Sequence, residues 1–269
     1  MIKKFNKNFF LPLIVLLCSY QGYAALKDES TLKNTQQYQT IKNLNTLKKL
    51  TQYLESVFNN YETYRDFIPL VYSKLLSFLV PDFSALMAGS EYTLRQSPQS
   101  FQDTSDQNIE KIKARISDLF EKIFAPFRML RKVKPEDLEL VQALQRIYFR
   151  EFFTKITGID EEKNSVIRTH SILSPTFPLG WTNSILKIML VSGFRSYSNH
   201  PMLLPLKEYI PEKTTRFKEL LKSKYDHFLS NFPPTSENDN AFRECSSFLR
   251  TIGDLGFVEE IEKKYSRWK

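Results

Sequence analysis

Apolar side chains recur every three or four residues along most of the chain, which is the spacing of one helix face and not of one strand face. One such series runs from Ile41 to Tyr61, and others run over 70–79 and 109–123. A fourth begins at Pro135 and reaches Ile156, with the glycine at 158 placed to end it. No segment shows the two-residue alternation of a strand between turn residues, so the sequence predicts an all-α fold.

The remaining apolar series complete a bundle-like globular domain of about eight helices, with further helices predicted over 181–197, 212–231, 239–252 and 256–267. Pro81 is expected to end the second helix, because proline lacks the N–H that a helix interior requires. The polar stretch 90–106 is long for a connection between helices and is a candidate hinge or mobile loop. Without an internal repeat or a compositional break, residues 25–269 are predicted to form one domain.

The first 24 residues have the pattern of a secretory signal peptide. Lysines at positions 3, 4 and 7 precede the apolar run 9–18, and Gly22-Tyr23-Ala24 supplies small residues before Ala25. That run is about half of the roughly 20 residues needed to cross a bilayer, so cleavage is favoured over retention as an anchor. We therefore expect export to a periplasm or to the extracellular space. The mature chain is expected to begin at Ala25, to be soluble and to have no transmembrane segment.

Cleavage would change both the charge and the cysteine content of the chain. It lowers the formal net charge from +8 to +5 and leaves Cys245 as the one cysteine, so no internal disulfide can form. A domain of this size buries roughly 70–75% of its unfolded surface, which is enough for a core without cross-links. An exported chain with so small a positive charge is also a poor candidate for binding nucleic acid.

The segment RMLRKVKPEDLEL, residues 128–140, concentrates charge: Arg128, Arg131, Lys132 and Lys134 precede Pro135, and acids follow it. One interpretation is a junction between two helices, because cations in a last turn and acids in a first turn both complement the helix dipole. Pro135 then suits the first position of the second helix. The other interpretation is contact between the four cations and an anionic membrane surface. The junction is favoured, and the surface contact stays open.

The histidines show no metal-ligand spacing, so neither a metal nor a cofactor is expected. The strongest catalytic candidate is the segment RTHSILS, in which Arg168, His170 and Ser171 offer an anion clamp, a base and a nucleophile. Neighbouring residues on a helix, however, point about 100° apart. The interpretation of residues 168–170 as the last turn of a helix is therefore favoured over a catalytic one.

Three functions remain open after these observations. The favoured one is an exported binding protein that contacts another protein and carries out no chemistry. The second is a carrier of an apolar small molecule or lipid, in which Phe177 and Trp181 of the segment SPTFPLGW line a pocket. The third is a hydrolase with its site around His170.

Overall fold

The structure is a computed structural model that describes residues 26–27, 29–96, 106–160, 171–192 and 203–231, together with 243, 259, 260 and 263. Every regular element in these ranges is helical, which confirms the predicted all-α fold. The predicted signal peptide, Cys245 and most of the two helices predicted over 239–252 and 256–267 lie outside the described residues.

The described helices are numbered in chain order. They are α1 (Glu29–Leu32), α2 (Gln36–Asn43), α3 (Leu47–Asn59), α4 (Tyr61–Tyr64), α5 (Ile68–Gln96), α6 (Gln107–Val133), α7 (Leu138–Ile147), α8 (Thr154–Thr157), α9 (Leu179–Lys187), α10 (Leu203–Tyr209) and α11 (Pro211–Asn231). A 3-10 turn (Arg65–Phe67) joins α4 to α5, and two π-helical segments, π1 (Tyr148–Phe153) and π2 (Ile188–Ser192), follow α7 and α9. The predicted stop at Gly158 is confirmed: this residue caps α8 in the left-handed conformation, with φ 70°.

The central helix, α5, packs against α3, α6, α7 and π1. The prediction that this helix stops at Pro81 is wrong. The helix continues to Gln96, so residues 90–96 are helical and do not belong to a loop. Proline inside a helix costs about 3 kcal/mol. Beyond it, however, Phe83, Met87 and Leu94 are all buried, and each such side chain stabilises by about 1.5–3 kcal/mol. Tertiary burial therefore outweighs the local break.

By length and composition, the stretch Tyr61–Leu94 could cross a membrane, whereas no such segment was expected in the mature chain. This stretch was not expected from the sequence because the helix was predicted to end at Pro81. Half of its most apolar window is buried inside the fold. Helix α5 packs against α3, α6, α7 and π1, and the buried half of that window contributes to this packing.

Aromatic side chains of π1 connect the two halves of the core, and all four are buried: Tyr148, Phe149, Phe152 and Phe153. The ring of Phe152 lies 5.4 Å from that of Phe83 in α5, edge to face. Phe149 instead stacks on Tyr209 of α10, also at 5.4 Å. Such pairs add about 0.5–1.5 kcal/mol each beyond the burial of their area. The segment π1 therefore packs against both the earlier helices and the described C-terminal ones.

Replacement of Pro81 by alanine is expected to raise the free energy of unfolding by about 1–3 kcal/mol, because alanine restores the hydrogen bond that proline cannot donate. Pro81 is exposed, so the change removes no core contact. Pro69→Ala is the matched control: it lies in the first turn of α5, where proline is tolerated, and a change below about 0.5 kcal/mol is expected. Urea denaturation measures both, and equal gains would contradict a helix that is continuous through Pro81.

Candidate functional site

The basic segment ends one helix, and the acids that follow it begin another, as predicted. The helix α6 ends at Val133, and the N–H of Lys134 donates to the carbonyl of Leu130 at 2.8 Å. The next helix, α7, begins at Leu138. We call residues 131–139 the junction.

The start of α7 differs from the prediction, because Pro135 does not occupy its first position. Asp137 is the N-cap, and its Oδ1 accepts the N–H of Leu140 at 3.0 Å. A capping carboxylate satisfies an otherwise unbonded N–H and typically contributes about 1 kcal/mol. Asp137 therefore sets the boundary, two residues beyond the proline.

The buried side chain of Asp137 is also the centre of a polar cluster that joins the start of α7 to α4 and the 3-10 turn. Arg65 donates from Nε to Asp137 Oδ2 at 2.5 Å and from Nη2 to Asp137 Oδ1 at 2.9 Å. The same Nη2 donates to Glu139 Oε2 at 2.9 Å, and the hydroxyl of Tyr61 donates to Asp137 Oδ2. We call Tyr61, Arg65, Asp137 and Glu139 the Asp137 network.

The network keeps the Asp137 carboxylate charged although only 1% of its side chain is exposed. Burial by itself would raise the pKa of this carboxyl, but the hydrogen bonds from Arg65, from Tyr61 and from the N–H of Leu140 outweigh burial and lower it. The pKa of Tyr61 is raised, first by burial and then by its hydrogen bond to Asp137. Arg65 is 14% exposed, and a bidentate pair with so little exposure fixes the geometry of both partners.

The outer side of the junction exposes apolar side chains beside cations. Val133 and Leu138, at the two ends of the connection, are 45% and 62% exposed. They are two of the three large apolar residues that are exposed in the described part of the chain; the third is Tyr92 in α5. Arg131 and Lys132 are exposed next to Val133. The junction thus combines a rigid inner side with an outer side of mixed apolar and cationic character.

Among the predicted surface cations, Arg128 and Lys134 form ion pairs with glutamates of the same chain. Arg128 Nη2 lies 2.6 Å from Glu121 Oε2. Lys134 Nζ lies 3.7 Å from Glu62 Oε1 and 3.5 Å from Glu136 Oε1. The predicted contact of Arg128, Arg131, Lys132 and Lys134 with an anionic membrane stays a prediction, and these pairs reduce the charge that such a contact could use.

Of the three catalytic candidates, the structure describes Ser171. Arg168 and His170 lie outside the described residues, so their position relative to Ser171 stays a prediction. Ser171 itself is buried, and its Oγ donates to the carbonyl of Thr157 at 2.6 Å and accepts the N–H of Leu173 at 3.1 Å. The first bond holds the segment after residue 170 against α8, and the second lies within that segment. Both favour a structural role for this serine.

The two aromatic residues predicted to line a ligand pocket, Phe177 and Trp181, are buried in the core. Lys224 of α11 is buried too, and its Nζ donates to the carbonyls of Ser174, at 2.6 Å, and Phe177. The same Nζ lies 5.8 Å from the centre of the Phe177 ring. Lys224 therefore holds the segment 171–178 against α11, but the apolar pocket stays a prediction.

No group of three His, Cys, Asp or Glu side chains that could hold a metal occurs among the described residues. His227 is exposed, and its Nδ1 lies 3.1 Å from the side-chain nitrogen of Asn231. The other two histidines fall outside the described ranges. Nothing in these ranges assembles a titratable cluster around a histidine.

Comparisons with protein-family models, with curated proteins and with solved structures found no match for this chain. Its function therefore has to be inferred from the residues of the fold, among which those of the junction combine buried charge with an exposed apolar surface.

Replacement of Asp137 by asparagine is expected to lower the free energy of unfolding by about 3 kcal/mol near pH 7, because Arg65 loses its charged partner in a buried site. The folded-state pKa of Asp137 is depressed below the unfolded value of about 3.9. The stabilisation is therefore present above that value and is lost as the pH falls through the folded pKa.

Urea denaturation of both proteins at neutral pH and near pH 2 measures this difference, which should shrink at the lower pH. Glu136→Gln removes an exposed carboxylate one residue away and should cost less than about 0.5 kcal/mol. A penalty for Asp137→Asn that is the same at both pH values would show that Asp137 does not act through its charge.

Proposed function

We propose that this protein is an exported α-helical protein that binds another protein through the outer side of the junction and catalyses no reaction. The observation that carries the proposal is the exposure of Val133 and Leu138 beside the cations Arg131 and Lys132. Exposed apolar side chains grouped at one place and bordered by polar residues mark contact surfaces. Protein interfaces have this arrangement, with an apolar centre and a charged rim.

The chemistry of the junction favours an acidic protein surface as the partner. Carboxylates around an apolar contact would complement the cations, and complementary charge steers association and selects partners. A protein is favoured over a membrane because Arg128 and Lys134 pair with glutamates. A helix that lies on a membrane instead carries a strongly basic polar face.

Export is part of the same proposal and rests on the pattern of residues 1–24. Expression of the whole chain in a bacterium, followed by mass measurement of the protein recovered from the periplasm or the medium, tests it. We expect a chain that begins at Ala25. Recovery of the chain from the cytoplasm with its first 24 residues intact would contradict export.

Site-specific crosslinking tests the contact surface. A photoreactive amino acid at Leu138 is expected to capture a defined protein in cells, whereas the same group at Tyr92 should not. Both side chains are exposed, but Tyr92 lies 24 residues beyond the start of α5, which corresponds to about 36 Å along a helix. Equal capture at both positions would argue against the junction.

Two substitutions that preserve the fold sharpen this test. Leu138→Glu removes the apolar contact, while an acid suits the first turn of α7. Lys132→Glu reverses an exposed cation. Each should reduce capture from a neighbouring probe at Val133 by at least about fivefold, since truncated interface anchors cost more than about 1 kcal/mol. Sedimentation of the purified protein with anionic vesicles tests the membrane as the alternative partner. If the protein sediments with the vesicles, and replacement of Arg128, Arg131 and Lys132 by glutamine abolishes this binding, the partner would be a membrane and not a protein.

A further inference from the structure

The first described residues of the chain are seated on the Asp137 network. The N–H of Leu26 donates to Glu139 Oε1 at 3.0 Å, across 113 positions of sequence. The Leu26 side chain packs, partly buried, against the hydrophobic core. Lys27 adds an ion pair, with Nζ 3.6 Å from Asp66 Oδ2 in the 3-10 turn. Residues 26–27 are therefore attached by a backbone bond, an apolar contact and a charge pair.

Glu139 divides its two oxygens between the network and this segment. Its Oε2 accepts from Arg65 at 2.9 Å, and its Oε1 accepts from Leu26 at 3.0 Å. Arg65 in turn is held by Asp137, so the carboxylate that meets Leu26 is positioned by the buried pair. The carboxylate of Glu139, which accepts the N–H of Leu26, is thus positioned by the same contacts that fix the junction.

We propose that Glu139 and its network form a binding site for the amino terminus that export creates, the α-ammonium group of Ala25. This inference rests on the proposed cleavage after Ala24. A signal peptidase would add water across the Ala24–Ala25 amide, leaving a carboxylate on Ala24 and an ammonium on Ala25. Consecutive backbone nitrogens lie no more than about 3.7 Å apart. The new positive charge therefore arises within about 7 Å of the Glu139 oxygen that holds Leu26, whatever the conformation of Ala25.

The uncleaved chain has a neutral amide at that point, so cleavage adds a favourable interaction with Glu139. The bond to be cut is also separated by Ala25 alone from residues 26–27, which the folded chain holds. Proteases act on exposed, extended backbone and need local opening elsewhere. Cleavage is thus expected to precede the docking of residues 26–27, and docking then protects the new terminus.

Two versions of the purified protein test the site. Both are released from a fusion partner by a protease; one begins at Ala25, and the other carries Gly-Ser-Gly before Ala25, which moves the ammonium away. At pH 6.5, where an α-amino group is charged, the version that begins at Ala25 should melt about 1–3 °C higher. Glu139→Gln should abolish this difference. Glu136→Gln, which removes a neighbouring carboxylate, should leave it unchanged.

Release of Ala25 by an aminopeptidase gives a second measurement that does not depend on overall stability. Glu139→Gln and Asp66→Asn should each speed release severalfold, while Glu136→Gln should not. The proposal is overturned if the three-residue extension changes neither melting nor release, or if its effect persists in Glu139→Gln. Failure of export would show separately, as an uncleaved chain in cells, because the two purified versions do not depend on signal-peptide cleavage.

Discussion

The burial of the Asp137 carboxylate against Arg65 is the constraint on which the junction depends. A carboxylate with 1% exposure requires charged and hydrogen-bonding partners, and these come from two separate parts of the chain: Tyr61 and Arg65 before α5, and the N–H of Leu140 in α7. Because the same side chain caps α7, the start of this helix cannot move without breaking the ion pair. The backbone that carries the exposed side chains of Val133 and Leu138 is therefore held in one position.

Apolar packing supplies the rest of the fold. The long helix α5 buries side chains on both sides of Pro81 and so gives α3, α6 and π1 a common surface. In π1, Phe152 pairs with Phe83 of α5 and Phe149 pairs with Tyr209 of α10. Tyr148 adds a hydrogen bond from its hydroxyl to the carbonyl of Met189 in π2, at 3.1 Å. No cysteine lies among the described residues, so packing and not disulfide bonding holds their helices together.

Local patterns in the sequence predicted what depends on neighbouring residues. The helical period identified α3, α6 and α7, and Gly158 marked the end of α8, because these signals act within a few positions. The helix stop predicted at Pro81 was wrong because the burial that offsets the lost hydrogen bond depends on contacts with other helices. Asp137 could not be paired with Arg65 from sequence, since 72 positions separate them. The contact between Leu26 and Glu139 was hidden for the same reason.

The coupling free energy between Arg65 and Asp137 is the most direct test of whether this buried pair holds the junction. A double-mutant cycle measures it by urea denaturation of Arg65→Met, Asp137→Asn and the double variant. If the buried pair holds the junction, the double variant should be about as stable as the less stable single variant, which corresponds to a coupling of about 2–3 kcal/mol. Losses that simply add would mean that the two side chains stabilise the fold independently, and that the junction is held by something else.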